Sequence, residues 1–131
     1  MAIDLSSLSP DITAFLAEYH LAILTTLRAD GSPHSVPVGF SYDAEARLVR
    51  IISADNTQKV INAERGGRGS VSQVDGGRWL TLEGVTRVRR DPAAVTAAVD
   101  GYAARYRPPR DNPARVAIEI VVDRMLGHAQ P

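Results

Sequence analysis

The chain of 131 residues contains no cysteine at all. That excludes disulfides, thiolate metal sites and a cysteine nucleophile. It contains one lysine, Lys59; every other basic residue among the fifteen is arginine. Excess charge of either sign is also missing, because fifteen basic residues balance fifteen acidic ones. A nucleic-acid or membrane-surface protein normally shows its basic patch in that balance. No apolar run approaches the roughly 18 residues a membrane-spanning helix needs. The opening "MAIDLSSLSPD" lacks the basic and apolar regions of a signal peptide. The expectation is one cytoplasmic domain over residues 1–131, long enough to bury a core without metal or disulfide help.

The residues present organise that length. "LSPDITAFLAEYH" predicts a helix over about 9–20, with Ser9 as N-cap, Pro10 in the first turn and a stripe of Ile12, Phe15, Leu16 and Tyr19. Strands are expected at 21–28, 33–41, 47–53, 69–74, 78–89 and 115–125. The hairpin signals "ADGS" and "DGG" join two pairs of them. In the long strand, Leu80, Leu82, Gly84, Thr86 and Val88 share a face, and a mid-strand Gly84 suggests a bulge or sharp bend. "DPAAVTAAVDGYAARYR" reads as a second long helix, capped by Asp91, with a stripe of Val95, Val99, Tyr102 and Tyr106. Six strands joined by tight turns, with peripheral helices, predict a mainly β protein built as a small antiparallel barrel.

Read for catalytic side chains, the sequence is nearly empty. His20, His34 and His128 stand far apart with no ligand spacing. "GGRG" precedes a strand and lacks the third glycine of a dinucleotide fingerprint. A protein that positions a redox cofactor needs no nucleophile or dedicated base. Lys59 then draws interest. It follows Ser53, Asn56 and Thr57 at the start of the helix-like "TQKVINAER". Hydroxyl and amide donors, a flexible point charge and a helix N-terminus together suit a phosphate, although a solvated lysine is the plainer alternative.

Three segments in order, "LAILTTLRADGSPHSVPVGFSYD", "SADNTQKVINAE" and "GSVSQVDGGRWLTLEG", resemble the flavin/deazaflavin split-barrel family related to pyridoxamine 5′-phosphate oxidase. The resemblance spans about Leu21 to Met125. "RYRPPRDNPARV" and the "IE" strand extend it to the actinobacterial branch that uses coenzyme F420, in particular its biliverdin-reducing members.

The resemblance implies a six-stranded antiparallel split β-barrel acting as a homodimer, with cofactor sites at the interface. It implies phosphate binding by Ser53 and Lys59, with Asn56, Thr57 and Gln58 beside them. The strand Val36, Pro37, Val38 and Gly39 would back the deazaflavin ring, and the region around Ser72, Gln73 and Trp79 would flank the ring and the tail. Arg105, Tyr106 and Arg107 of the second subunit would complete the site, with Arg105 and Arg107 as proton or propionate contacts. Each has an ordinary alternative. Pro37 can mark an edge strand, Trp79 can be half-buried packing, Gln73 can satisfy backbone groups, and Arg105 and Arg107 can be a solvated helix end. The implied activity is hydride transfer from reduced coenzyme F420 to a conjugated small-molecule acceptor, biliverdin first, with no nucleic-acid or membrane partner. An FMN-dependent oxidase or reductase of the same fold, or a non-catalytic flavin- or tetrapyrrole-binding protein, are the competing expectations.

Overall fold

The computed structural model describes residues 2–131. Helix α1 (Pro10–Ala17) begins where Ser9 accepts a hydrogen bond from the Ile12 N–H, and it buries Ile12, Phe15 and Leu16. It ends earlier than expected. Glu18 is extended, so Tyr19 leaves the helical face and is 64% exposed. Strands β1 (Ala22–Leu27) and β2 (Pro33–Val38) form a hairpin, followed by β3 (Ser41–Asp43) and β4 (Leu48–Ala54). Helix α2 (Gln58–Glu64), strands β5 (Arg68–Asp75) and β6 (Arg78–Arg89), helix α3 (Pro92–Arg105) and strand β7 (Arg115–His128) complete the chain.

All neighbouring strands run antiparallel, in the order β2-β1-β5-β6-β7-β4-β3. The sheet therefore has seven strands rather than the six expected, because the run 33–41 breaks at Gly39–Phe40. The break decides the shape. The strands on either side of it, β2 and β3, form the two opposite edges of the sheet. Three Cα steps join Val38 to Ser41 and span at most about 11 Å. The sheet must curl until its edges nearly meet, yet no hydrogen-bond ladder joins them: a barrel with a split.

Inside lie Phe15, Leu24, Phe40, Val49, Ile51, Leu80, Leu82, Ile118, Ile120 and Met125, all essentially without solvent contact. Leu80, Leu82, Gly84 and Thr86 face inward as expected. The bulge sits opposite Gly84, on β7: Glu83 pairs with Arg124 and Gly84 with Val122, so Asp123 is the extra residue. A Cβ at Gly84 would overlap the Val121 carbonyl oxygen. Helix α3 starts at an Asp91 cap that accepts from Ala94 N–H. Its buried face is Ala94 and Ala98, with Gly101 against Ser41, and not the expected stripe of Val95, Val99 and the tyrosines. Small side chains let the helix lie close on β3 and β4.

Candidate functional site

The residues expected to hold a phosphate do meet. Ser53 ends β4 almost buried, and its Oγ lies 3.1 Å from Thr57 Oγ1. Both hydroxyls can donate to the Ala54 carbonyl. Asn56 takes a left-handed conformation, φ 64°, which an Asn tolerates and which turns the chain into α2. Thr57 stands at the N-cap, but no side chain caps this end and no acidic residue lies in the first turn. The first backbone N–H groups of α2 stay without side-chain acceptors. Lys59 is half-buried, with no ion-pair or hydrogen-bond partner among the described residues. Its surroundings make that notable: Arg90 nearby binds both Asp55 and Glu64, so the local carboxylates are already neutralised. The corner offers donors and one uncommitted cation, which fits a phosphate.

Gln58 is exposed and is committed along the helix instead. Its Nε2 donates to Asn62 Oδ1 at 2.8 Å, and the buried Asn62 donates to Thr26 Oγ1 at 3.1 Å. Across the ladder from Thr26 sits His34. Its Nδ1 is buried without a hydrogen-bond partner among the described residues. Sequence reasoning gave His34 no role, since a lone histidine carries no spacing signal. An orphaned imidazole nitrogen beside the α2 corner is a second feature that a polar ligand would satisfy.

Strand β2 is a sheet edge paired only to β1. Val38 faces the core, Val36 is half-buried against it, and Pro37 is exposed. Pro33 and Pro37 can lie in the ladder only with their nitrogens turned outward. Consistent with that register, the Pro33 carbonyl accepts from Arg28 Nη1 at 2.7 Å. The outward edge of β2 is therefore backbone with two N–H groups deleted, which blunts pairing by a stray strand and leaves a flat wall for a planar ring. Gly39 closes the strand under α3: a Cβ there would lie 2.8 Å from Tyr102 Cε2 and 2.9 Å from Tyr106 Cε2.

On the outer face of the sheet, Pro37, Ile23, Ser72 and Thr81 stand in one cross-strand row. Ser72 Oγ and Thr81 Oγ1 are 2.9 Å apart. Ser72 is thus two strands from Pro37, about 10 Å, on a face the ring could share. Trp79 is 42% exposed on that face, next to Val74. It stands at the start of β6, whereas α2 is tied by Glu64 to Arg90 just beyond the end of β6. The two ends of β6 are about 30 Å apart along the strand. Trp79 thus lies toward the end of β6 away from α2, which also receives a hydrogen bond from Thr86 in mid-strand.

Three of the expected contacts make hydrogen bonds within their own chain. Gln73 is 1% exposed and faces the core; its Nε2 donates to the Phe15 carbonyl at 3.1 Å. Arg105 donates to Gln73 Oε1 at 2.8 Å, to the Phe40 carbonyl at 2.9 Å and to the Glu18 carbonyl at 2.8 Å. It also lies over the Phe40 ring. Tyr106 donates to the His20 carbonyl at 2.7 Å and accepts from Phe40 N–H. These side chains pin α1, α3 and the β2–β3 break together inside one chain, so Arg105 is not a solvated helix end. Burial pushes the Tyr106 hydroxyl up and the Arg105 guanidinium down from their ordinary values. Arg107 remains exposed.

Glu18, His20 and Asp75 also bring ligand atoms within 4.8 Å of one another. Arg78 occupies that position as a cation already, donating to Glu18 at 2.9 Å and to Asp75 at 2.6 Å. Glu18 is held down to about 2, first by Arg78 and then by His20.

Over 122 residues, 93% of this chain and 89% of its relative, the sequence is 54% identical to an F420H(2)-dependent biliverdin reductase of Mycobacterium tuberculosis. The fold matches the crystal structure of a conserved hypothetical protein of the same organism, with a TM-score of 0.77 at 23% identity over 92% of this chain and 84% of that one. It also matches a structure described as an F420 reductase, with a TM-score of 0.67 at 24% identity, covering 86% of this chain and 94% of that one. The family model for pyridoxamine 5′-phosphate oxidase matches residues 8–129, and the chain belongs to that family.

Proposed function

We propose that this chain is a coenzyme F420-dependent reductase whose acceptor is biliverdin. The observation that carries the reading is the 54% identity, over nearly the whole of both chains, to an enzyme named for that activity. The chemistry of the α2 corner supports it. Lys59 serves as the point charge for the cofactor phosphate, with Ser53, Asn56 and Thr57 supplying donors around it. The backbone of Val36 to Gly39 backs the ring. When bound, reduced coenzyme F420 supplies a hydride, and a proton completes the two-electron reduction of the acceptor to bilirubin. The work of the chain is to bind and orient. Pro37 and the close-packed Gly39 hold the β2 wall in one conformation. The tyrosines of α3 keep water from its inner side.

The reading includes a homodimer and a cytoplasmic location. Two facts support the dimer. The outer sheet face exposes Ile23, Val74, Trp79, Val85 and Val121, an apolar surface a second copy would cover. Trp79, expected at the cofactor, stands on this face toward the end of β6 away from α2, where a second copy can bring its own Trp79 to the site.

The experiment is a titration of the purified protein with coenzyme F420 and, separately, with FMN, each followed by turnover with biliverdin. Tight binding of F420 and F420H2-driven loss of biliverdin are expected. Preference for FMN would replace the cofactor. Binding with no turnover would make the protein a carrier.

A further inference from the structure

Eleven of the fourteen arginines are committed: Arg50, Arg68, Arg78, Arg87, Arg89, Arg90 and Arg124 each lie against a carboxylate, and Arg28, Arg65, Arg105 and Arg115 donate other hydrogen bonds. Arg107 and Arg110 are exceptions, since neither guanidinium has a hydrogen bond or ion pair among the described residues. They flank Pro108 and Pro109, directly after the end of α3. Two prolines fix their own φ angles and hold the chain extended. At about 3.1 Å per residue, Arg107 and Arg110 stand about 9 Å apart along it. Together with the Tyr102 ring these four residues line a concavity of about 380 Å³, within the size range of small-molecule sites. No carboxylate lines it. Its aromatic wall is placed by the fold: the Tyr102 ring that lines the concavity also packs against Gly39, at the end of the β2 wall.

We infer that this concavity is the carboxylate subsite for the acceptor, with Arg107 and Arg110 each pairing with one carboxylate of a planar conjugated dicarboxylate and Tyr102 contacting its apolar plane. The inference rests on the reductase reading and adds where the acceptor is held. Two forks on a stiffened segment suit two carboxylates at a fixed separation, because guanidinium pairs bidentately with carboxylate. A single carboxylate would engage one of them. The expected role of Arg105 at the acceptor passes to Arg110, whose donors are uncommitted.

The test compares biliverdin with its dimethyl ester, using wild-type protein, Arg107→Ala, Arg110→Ala and the double variant. Affinity is read as acceptor KM with saturating F420H2 and, independently, as the acceptor Kd from an absorbance titration without cofactor. F420 affinity is the control. Each single variant should weaken biliverdin about fivefold, the scale of one exposed charge pair near 1 kcal/mol. The ester should bind wild type about as weakly as biliverdin binds the double variant, and it should be indifferent to the substitutions. Equal affinity of wild type for acid and ester would overturn the inference, as would variants that keep the acid-to-ester ratio. Failure of the function reading would look different: wild type would leave biliverdin unreduced while the titration still distinguished acid from ester.

Discussion

Arg105 Nη2 donates to Gln73 Oε1 at 2.8 Å, joining the end of α3 to the middle of β5. The same guanidinium holds the Phe40 and Glu18 carbonyls, so one side chain fastens the split of the barrel to α1. Arg105→Ala leaves the buried Gln73 oxygen and two carbonyls without their donor. A loss of about 2–4 kcal/mol is expected, from the cost of unsatisfied buried groups. Urea denaturation measures it. Arg105→Lys should recover little, because an ammonium cannot span the three acceptors. Cofactor affinity of the folded variant should stay at the wild-type value; a selective loss of affinity would return Arg105 to the ligand site.

Lys59→Ala should separate binding from folding. A charge-assisted contact to phosphate is worth about 1.5–3 kcal/mol, so the F420 Kd should rise about ten- to a hundredfold. Among the described residues Lys59 has no ion-pair partner, and the unfolding midpoint should hardly move. Unchanged affinity would make Lys59 a solvated helix residue.

At Gly84 the constraint is steric. Its missing Cβ makes room for the Val121 carbonyl at the β7 bulge, between two long strands that cannot separate cheaply. Gly84→Ala is expected to cost about 3 kcal/mol or to prevent folding. A thermal melt equal to that of wild type would mean the bulge relocates.

The acid side of the stability profile has an identifiable contributor. Glu18 titrates near 2 when folded against an ordinary value of 4.5, because Arg78 and then His20 bond its charged form. A depressed folded value means the stabilisation is present above about 4.5 and is lost as pH falls from there toward 2. Glu18→Gln should therefore flatten denaturation midpoints plotted against pH in that window and leave the slope above pH 5 unchanged. An identical acid limb in both proteins would contradict the assignment.

Much of the fold was legible where local chemistry acts alone. Ser9-Pro10 and Asp91-Pro92 announced their helices, "DGG" placed the Gly76–Gly77 turn, and the alternation of β6 gave its faces. Apart from the early end of α1, the misses were long-range. Nothing local in "PHSVPVGFS" marks Gly39–Phe40 as the point where the chain leaves one sheet edge for the other. Arg105 and Gln73 are 32 residues apart, and only the folded sheet brings them together. The buried face of α3 was misjudged because periodicity favours large apolar residues, whereas close packing there selects Ala94, Ala98 and Gly101. At the site, "SADNTQK" already grouped Ser53, Asn56, Thr57 and Lys59. Gln73 turned inward because the Phe15 carbonyl and the Arg105 guanidinium wait for it there, which the sequence does not display, and exposed Gln58 bonds to Asn62 one turn along α2.

The dimer expectation has its own reporter. Ile23, Val85 and Val121 lie on the outer face, and an aspartate at Val85 would place a charge in the covered patch. Wild type should scatter light as twice the chain mass, and Val85→Asp as a monomer with weakened F420 binding, since the site would lose its second copy. A wild-type monomer that binds cofactor at full strength would rule out a shared site.

The most direct test of the proposed reaction is isotope transfer. Coenzyme F420 reduced with deuterium at its reactive carbon is mixed with the enzyme and biliverdin, and the bilirubin is analysed by mass spectrometry and NMR. One deuterium at a single carbon of the product is expected, with no turnover when NADPH replaces F420H2. Product formed without the label, or formed equally well from NADPH, would contradict hydride transfer from a deazaflavin bound at Lys59 and the β2 wall.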